Sequence, residues 1–291
     1  MERRYIERAA LEALLPGRLG GAALAGLWVA GSLEGLAAPA VAVVGTRAPS
    51  DAGRALARRM ACNLARSGVC VVSGLAFGID AAAHEGALDA GGPTVGVLGG
   101  GHGCFYPPRN RELGGRMLMR GGAVVSPFAP ELEPRPAQFL ARNAVIAALA
   151  DAVVVVEAAA RSGALNTASH AADLGVPVLA VPGDVDRSKA AGCNALIRDG
   201  ALLVRDAADV LAALPLPLVR SMPKARAAAV RIDDPLEVRR LLGALADGAR
   251  DAESLAEGLD LPPPALLALI GELEAAGRIC CGPDGYALHR A

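Results

Sequence analysis

Five stretches, four of them glycine-bearing, carry the residues of this chain best suited to chemistry, and the chemistry they suit is phosphate binding. VVGTRAPSDAG (43–53) places Gly45, Thr46, Arg47 and Ser50 just before a helical pattern. Unpaired N–H groups at a helix start favour an anion, and an arginine beside them offers a two-pronged phosphate partner. The plain alternative is a capped turn with a solvated arginine. SGLAFGIDAAAHEGAL (73–88) repeats the arrangement with Ser73, Gly74, Phe77, Gly78, Asp80 and His84. Ser73 can donate to a phosphate, and the two glycines allow close backbone approach. Asp80 and His84 lie one helical turn apart; with no nucleophile beside them, they read as a structural Asp–His hydrogen bond. VLGGGHGCFYPPRNREL (97–113) adds Gly100, Tyr106, Arg109 and Asn110, and FLARNAVIAALA (139–150) adds Phe139, Arg142 and Asn143. VVVVEAAARSGALNTASHAADLG (153–175) adds Glu157, Arg161, Ser162 and Thr167. Glu157 suits a general base or an organiser of neighbouring loops.

Several other chemistries lack their residues. The glycine spacing fails G-x-G-x-x-G, and no G-x-x-x-x-G-K-[ST] occurs, so neither a dinucleotide fingerprint nor a P-loop is present. The six cysteines form no C-x-x-C pair, and there are four histidines, so neither a zinc site nor a disulfide framework is expected. No catalytic residue and no cofactor is predicted.

These turns need a rigid frame. Short, β-branched apolar runs stand at 41–45, 69–74, 94–100, 122–127, 152–158 and 177–183, separated by helical patterns. Runs apolar on both faces, alternating with helices, predict a parallel sheet built from βαβ units. Ligands of such sheets bind beyond the carboxyl ends of the strands, which is where the polar turns fall. Residues 1–38 read as a short lead-in, 39–213 as the α/β domain and 214–233, bearing prolines and no period, as a linker. Residues 234–291 read as three helices and a hairpin around Gly-Pro-Asp-Gly, the outline of a winged helix-turn-helix.

Composition bounds the rest. The 291 residues are 53% hydrophobic, 20% charged and 3% aromatic, with a net charge of −1, so the chain is globular without announcing a nucleic-acid partner. Residues 234–291 hold ten acids against five arginines, a net of −5, and the remainder carries +4. No signal peptide or membrane span is apparent, so a cytoplasmic protein is expected.

The stretches quoted above, with LWVAGSLEGL (27–36) and VPGDVDRSKAAGCNALIRDGALLV (181–204), together resemble the DNA-processing protein A family, also called DprA or Smf. The resemblance runs from about Leu27 to the C-terminus. It implies an extended Rossmann-like domain that binds single-stranded DNA, forms a homodimer, protects incoming strands during natural transformation and loads the RecA recombinase. It implies no enzymatic activity. Arg47, in the family's G-[ST]-R motif, becomes a main phosphate contact. Phe139, Arg142 and Asn143, matching F-x-x-R-N, suit base stacking and backbone contact. Phe77 stands where the family usually has Arg, and Ala144 where it usually has a second Arg. Two basic groups are thereby lost, and Phe77 suits either a stacked base or a dimer contact. The helical module that precedes this domain in many relatives is expected to be absent or trimmed. The third helix of the C-terminal unit, 262–277, carries Glu272 and Glu274 and no base before Arg278, so protein contact is expected there rather than duplex reading. A competing reading is a nucleotide-binding enzyme similar to the lysine-decarboxylase-like (LOG) phosphoribohydrolases. Their P-G-G-x-G-T-x-x-E loop is missing; PGDVDRSKAAGCN (182–194) stands in its place.

Overall fold

A computed structural model describes residues 3–214, 236–246, 251–259, 261–275, 279–282 and 285–288, in two compact units divided after Met222. The six predicted runs form β3 (Ala40–Val44), β4 (Cys70–Ser73), β5 (Thr94–Val97), β6 (Ala123–Ser126), β7 (Ala152–Val155) and β8 (Val178–Ala180). All six are parallel within the sheet order β6-β5-β4-β3-β7-β8. Strand residues alternate between two cores. Val41 and Val43 pack with Ala152 and Val154 on one face, under α2 (Asp51–Arg66) and α3 (Ile79–Asp89). Ala42 and Val44 pack with Val153 and Val155 on the other, under α5 (Pro136–Ala148) and α6 (Gly163–Asp173). Both faces are covered, which is why the runs are continuously apolar.

The structure corrects the sequence reading at both edges of this sheet. Residues read as a lead-in form β1 (Arg4–Glu7), α1 (Arg8–Leu14) and β2 (Gly26–Gly31). β2 pairs with β6 and β1 with β2, both antiparallel, so the nine-stranded sheet is mostly rather than wholly parallel. At the other edge β9 (Leu202–Leu203) follows α7 (Ala191–Arg198), and α8 (Ala207–Ala213) closes the unit. α4 (Arg111–Met119) covers β5 and β6 on the α2–α3 side.

A buried ion pair fastens the N-terminal segment to the sheet. Arg18 Nη2 lies 2.6 Å from Asp151 Oδ2, with both side chains nearly buried. Arg18 also donates to the carbonyls of Leu36 and Ala38, and Asp151 accepts from Ala40 N at the start of β3.

The second unit holds α9 (Leu236–Ala246), α10 (Ala252–Leu259), α11 (Pro263–Ala275) and the antiparallel pair β10 (Ile279–Gly282) and β11 (Gly285–Leu288). Leu241, Leu242, Leu255, Leu266, Ile270 and Ile279 make its own core. On α11, Leu267 is 54% exposed and Glu272 is also on the surface. The expected linker falls, apart from Leu214, outside the described residues.

Removing one partner of a buried ion pair leaves the other charge uncompensated, at a cost of about 3 kcal/mol or more. Asp151→Ala is therefore expected to lower the unfolding free energy read from urea denaturation by that much, whereas Asp199→Ala, in the exposed pair with Arg198, changes stability by less than about 1 kcal/mol.

Candidate functional site

A pocket of about 300 Å³ opens at the carboxyl ends of the strands, lined by Gly45 and Arg47 after β3, Ala76 and Asp80 after β4, Phe139, Arg142, Asn143 and Ile146 of α5, and Ser162 and Thr167 at the start of α6. The sheet order reverses at β3, whose neighbours are β4 and β7. The pocket thus sits at a topological switch point, where open α/β sheets bind ligands. A narrower cleft adjoins it, lined by Arg47, Gly74, Phe77, Tyr106, Pro107, Phe139 and Arg142.

The floor is a knot around Gly74. Arg142 of α5 is 3% exposed and donates through Nη1 to the carbonyls of Gly74 and Val97, tying α5 to the ends of β4 and β5. Asp80 accepts from Gly74 N at 3.1 Å and Ala76 N at 3.4 Å. A Cβ on Gly74 would come within 2.6 Å of both Arg142 Nη1 and Asp80 Oδ2, so only glycine fits between the two charges. Burial lifts the Asp80 carboxyl above the usual range, opposed chiefly by the Arg142 charge. Burial likewise draws Arg142 down to about 10, and Asp80 counters it. Leu75 takes φ +54°, unusual for a bulky residue. Asn110 Nδ2 holds that turn by donating to the carbonyls of Leu75 and Ala76 at 2.8 and 3.1 Å.

The rim is aromatic and basic. The exposed Arg47 guanidinium stands 5.2 Å from the Phe139 ring centre, and Tyr106 meets that ring edge-on at 5.8 Å. Phe77 is 41% exposed beside them. A cation–π contact at an exposed site contributes only ~0.5–1 kcal/mol, less than the ~1.5–3 kcal/mol of a charge-assisted hydrogen bond. A phosphate can therefore draw Arg47 away and leave Phe139 free to stack.

Three expectations are corrected. Ser73 is fully buried and its hydroxyl donates to Val43 O at 2.7 Å, joining β4 to β3 rather than meeting a ligand. Asp80 and His84 do not bond each other. Asp80 turns back to the Gly74–Ala76 amides, and His84 Nδ1 lies 2.8 Å from Thr94 Oγ1 at the other end of the helix's first turns. The start of α2 already holds an anion, because Glu157 Oε2 accepts from Ser50 N at 2.8 Å and Oε1 from Ser50 Oγ at 2.5 Å. Ser50 Oγ in turn accepts from Gly53 N as the helix cap, and Thr46 N donates to Glu157 O. Glu157 thus orders two loops.

The other candidates divide between lining and support. Thr167 is buried in the pocket wall, Ser162 caps α6, and Asn143 Nδ2 bonds Gly163 O and Asn166 Oδ1. Gly78, at φ +83°, packs against Thr46 O. Gly100 is buried away from the pocket, its carbonyl accepting from Ser126 Oγ. Arg109 and Arg161 are exposed and line neither cavity. Tyr106, noted in the sequence beside the glycine turn, is brought to the rim, whereas the apolar lining residues Ala76, Leu140 and Ile146 carry no polar or glycine signal and were not anticipated. Among the described residues no cluster of His, Cys, Asp or Glu could hold a metal, and no helix is long and apolar enough to cross a membrane.

Fold and site together define a doubly wound α/β protein with a phosphate-suited rim at its switch point. The sequence model of the family DNA recombination-mediator protein A matches residues 21–215, and the chain belongs to that family. Protein Smf of Escherichia coli is 37% identical over 270 residues, 91% of this chain and 72% of that protein. DNA processing protein DprA of Streptococcus pneumoniae is 42% identical over 186 residues, 64% of this chain and 65% of that protein. The crystal structure of the pneumococcal protein superposes with a TM-score of 0.62 at 36% identity, covering 72% of this chain and 79% of that one. DNA processing protein A of Helicobacter pylori, described for its single-stranded DNA binding mode, gives 0.62 at 25% identity, covering 72% and 94%.

Burial holds His84 neutral and pulls it down to about 3. The unfolded chain, with a histidine near 6.5, binds the extra proton first as pH falls, so the stability present above pH 6.5 is lost toward pH 3. From pH 6.5 to 5 the loss due to His84 is about 2 kcal/mol. Urea unfolding across that range should show it, and His84→Gln should flatten the slope.

Proposed function

We propose that this protein binds single-stranded DNA along the carboxyl rim and acts, without enzymatic activity, as a recombination mediator that protects incoming strands and loads RecA. The single observation that supports this best is the exposed Arg47 resting on Phe139 at the mouth of the switch-point pocket. An exposed cation for the backbone beside aromatic rings for the bases is what sequence-tolerant single-strand binding requires. Membership of the recombination-mediator family and the likeness to a relative described for single-strand binding add support. We further propose a cytoplasmic homodimer and a C-terminal winged helix engaged in protein contact.

The phosphoribohydrolase alternative is not favoured. Asp80 is the only carboxylate lining the pocket, and it is buried and committed to backbone amides. Phe77, in place of the family's usual arginine, sits beside Tyr106 and Phe139 and enlarges the stacking surface at the cost of one phosphate contact.

Fluorescence anisotropy of a labelled oligo-dT, set against a duplex of equal length across a salt series, tests the reading. Single strands should bind more tightly, and Arg47→Ala should weaken them and lower the salt slope by about 0.7. Equal binding of both forms, or an Arg47→Ala protein indistinguishable from wild type, would sink it. RecA loading is read separately, as faster filament growth on strands pre-coated with a single-strand-binding protein.

A further inference from the structure

The rim pocket leaves unexplained a second group of aromatic and basic side chains, at the β1–β2 edge of the sheet. Tyr5 on β1 and Trp28 on β2 are cross-strand partners whose rings stand 5.3 Å apart. Tyr5 is 44% exposed, and its ring lies over Gly26, where a Cβ would come 2.5 Å from the Tyr5 hydroxyl. α1 covers the opposite face of these strands, where Ile6, Leu27 and Val29 are buried.

A cavity of about 150 Å³ reaches this edge at Arg3, two residues before Tyr5, and is otherwise lined by His102, Phe105, Arg111, the Gly114–Gly115 step of α4, Leu118 and Val124. Gly115 leaves it open, since a Cβ there would meet nothing within 4 Å. The His102 ring is nine-tenths buried. Its Nε2 lies 2.9 Å from Val124 O and its Nδ1 has no hydrogen-bond partner. Arg3 and Arg111 are exposed, and neither has an ion-pair partner among the described residues. Among the described residues no carboxylate lines the cavity, Glu7 lying farther along the same strand face as Tyr5, so Arg3 and Arg111 leave the cavity lining basic.

Register places this patch on the same rim as the pocket. Trp28 is paired with Ser126, the carboxyl-end residue of β6, and Tyr5 is one strand further out. Two strand spacings, roughly 10 Å, separate Tyr5 from Ser126. The loop between β5 and α4 joins the two places, because Phe105 lines the second cavity while its neighbour Tyr106 meets Phe139 in the first.

We infer that the β1–β2 edge is a second contact surface for the same single strand, with a backbone phosphate between Arg3 and Arg111 and a base on the Tyr5–Trp28 pair. The occupant is single-stranded DNA rather than a protein, because exposed aromatics beside uncompensated arginines suit stacked bases and phosphates, and because the patch continues a rim already suited to that ligand. This rests on the single-strand reading of the rim.

Trp28 is the one tryptophan of the chain, so its own fluorescence reports occupancy without a label. Oligo-dT of roughly 6 nucleotides and of roughly 30 would be titrated into the full chain, reading tryptophan emission and, with labelled strands, anisotropy. The long strand should quench Trp28 and the short one should not. Tyr5→Ala should weaken the long strand about tenfold and leave the short one unchanged. The surface variant Arg3→Ala/Arg111→Ala should lower the long strand's salt slope by about 1.4 and keeps the test open if Tyr5→Ala misfolds. Long-strand binding by anisotropy with unchanged Trp28 emission and neutral variants would overturn the second surface and leave the rim reading standing. No anisotropy change with either strand would overturn both.

Discussion

The rim of this protein depends on one desolvated cation. Arg142 lies in the wall between α5 and the ends of β4 and β5, donating to the backbone carbonyls of Gly74 and Val97. A buried guanidinium is costly unless its surroundings answer its charge. The answer comes from two carbonyl dipoles and, across Gly74, from the Asp80 carboxylate. Asp80 in turn fixes the amides of Gly74 and Ala76, and Asn110 fixes the carbonyls of Leu75 and Ala76. The turn after β4 is thus pinned from three elements at once. Phe139 stands one helical turn before Arg142 on α5, so the same anchor sets the ring on which Arg47 rests.

Much of this frame was legible in the sequence because its cause is local. Six strands buried on both faces must be apolar without interruption, and they are. Ser50 or Asp51 before a helical pattern was readable as a cap, and Ser50 is the one that caps. What escaped the reading has no local signature. β9 is two residues long, too short to show a period. β1 buries only Ile6, so RYIE lacks the continuous apolar run that marked the inner strands.

The site was legible as a set of residues and less so as a set of roles. Spacing placed Asp80 and His84 on neighbouring positions of α3, but spacing does not fix where side chains turn. Asp80 is in the first turn, where side chains lean toward the helix start and find free amides. His84 faces the sheet and meets Thr94 of β5 instead. The same limit explains Ser73 and Arg142, polar residues at strand and helix positions whose hydrogen bonds turned inward. Sequence alone ranks such residues as ligand contacts because it cannot see the carbonyls they satisfy.

Glu157 has a wider consequence. By filling the start of α2 with the chain's own carboxylate, the fold has settled that helix terminus before any ligand arrives. Attraction for a phosphate at this rim would then fall to exposed side-chain cations such as Arg47, which stand outside the packed interior. Recognition and foldedness are written in different residues. A lineage can therefore retune, or even discard, its affinity for an anionic ligand by changing surface arginines one codon at a time, while the scaffold beneath stays intact and recognisable.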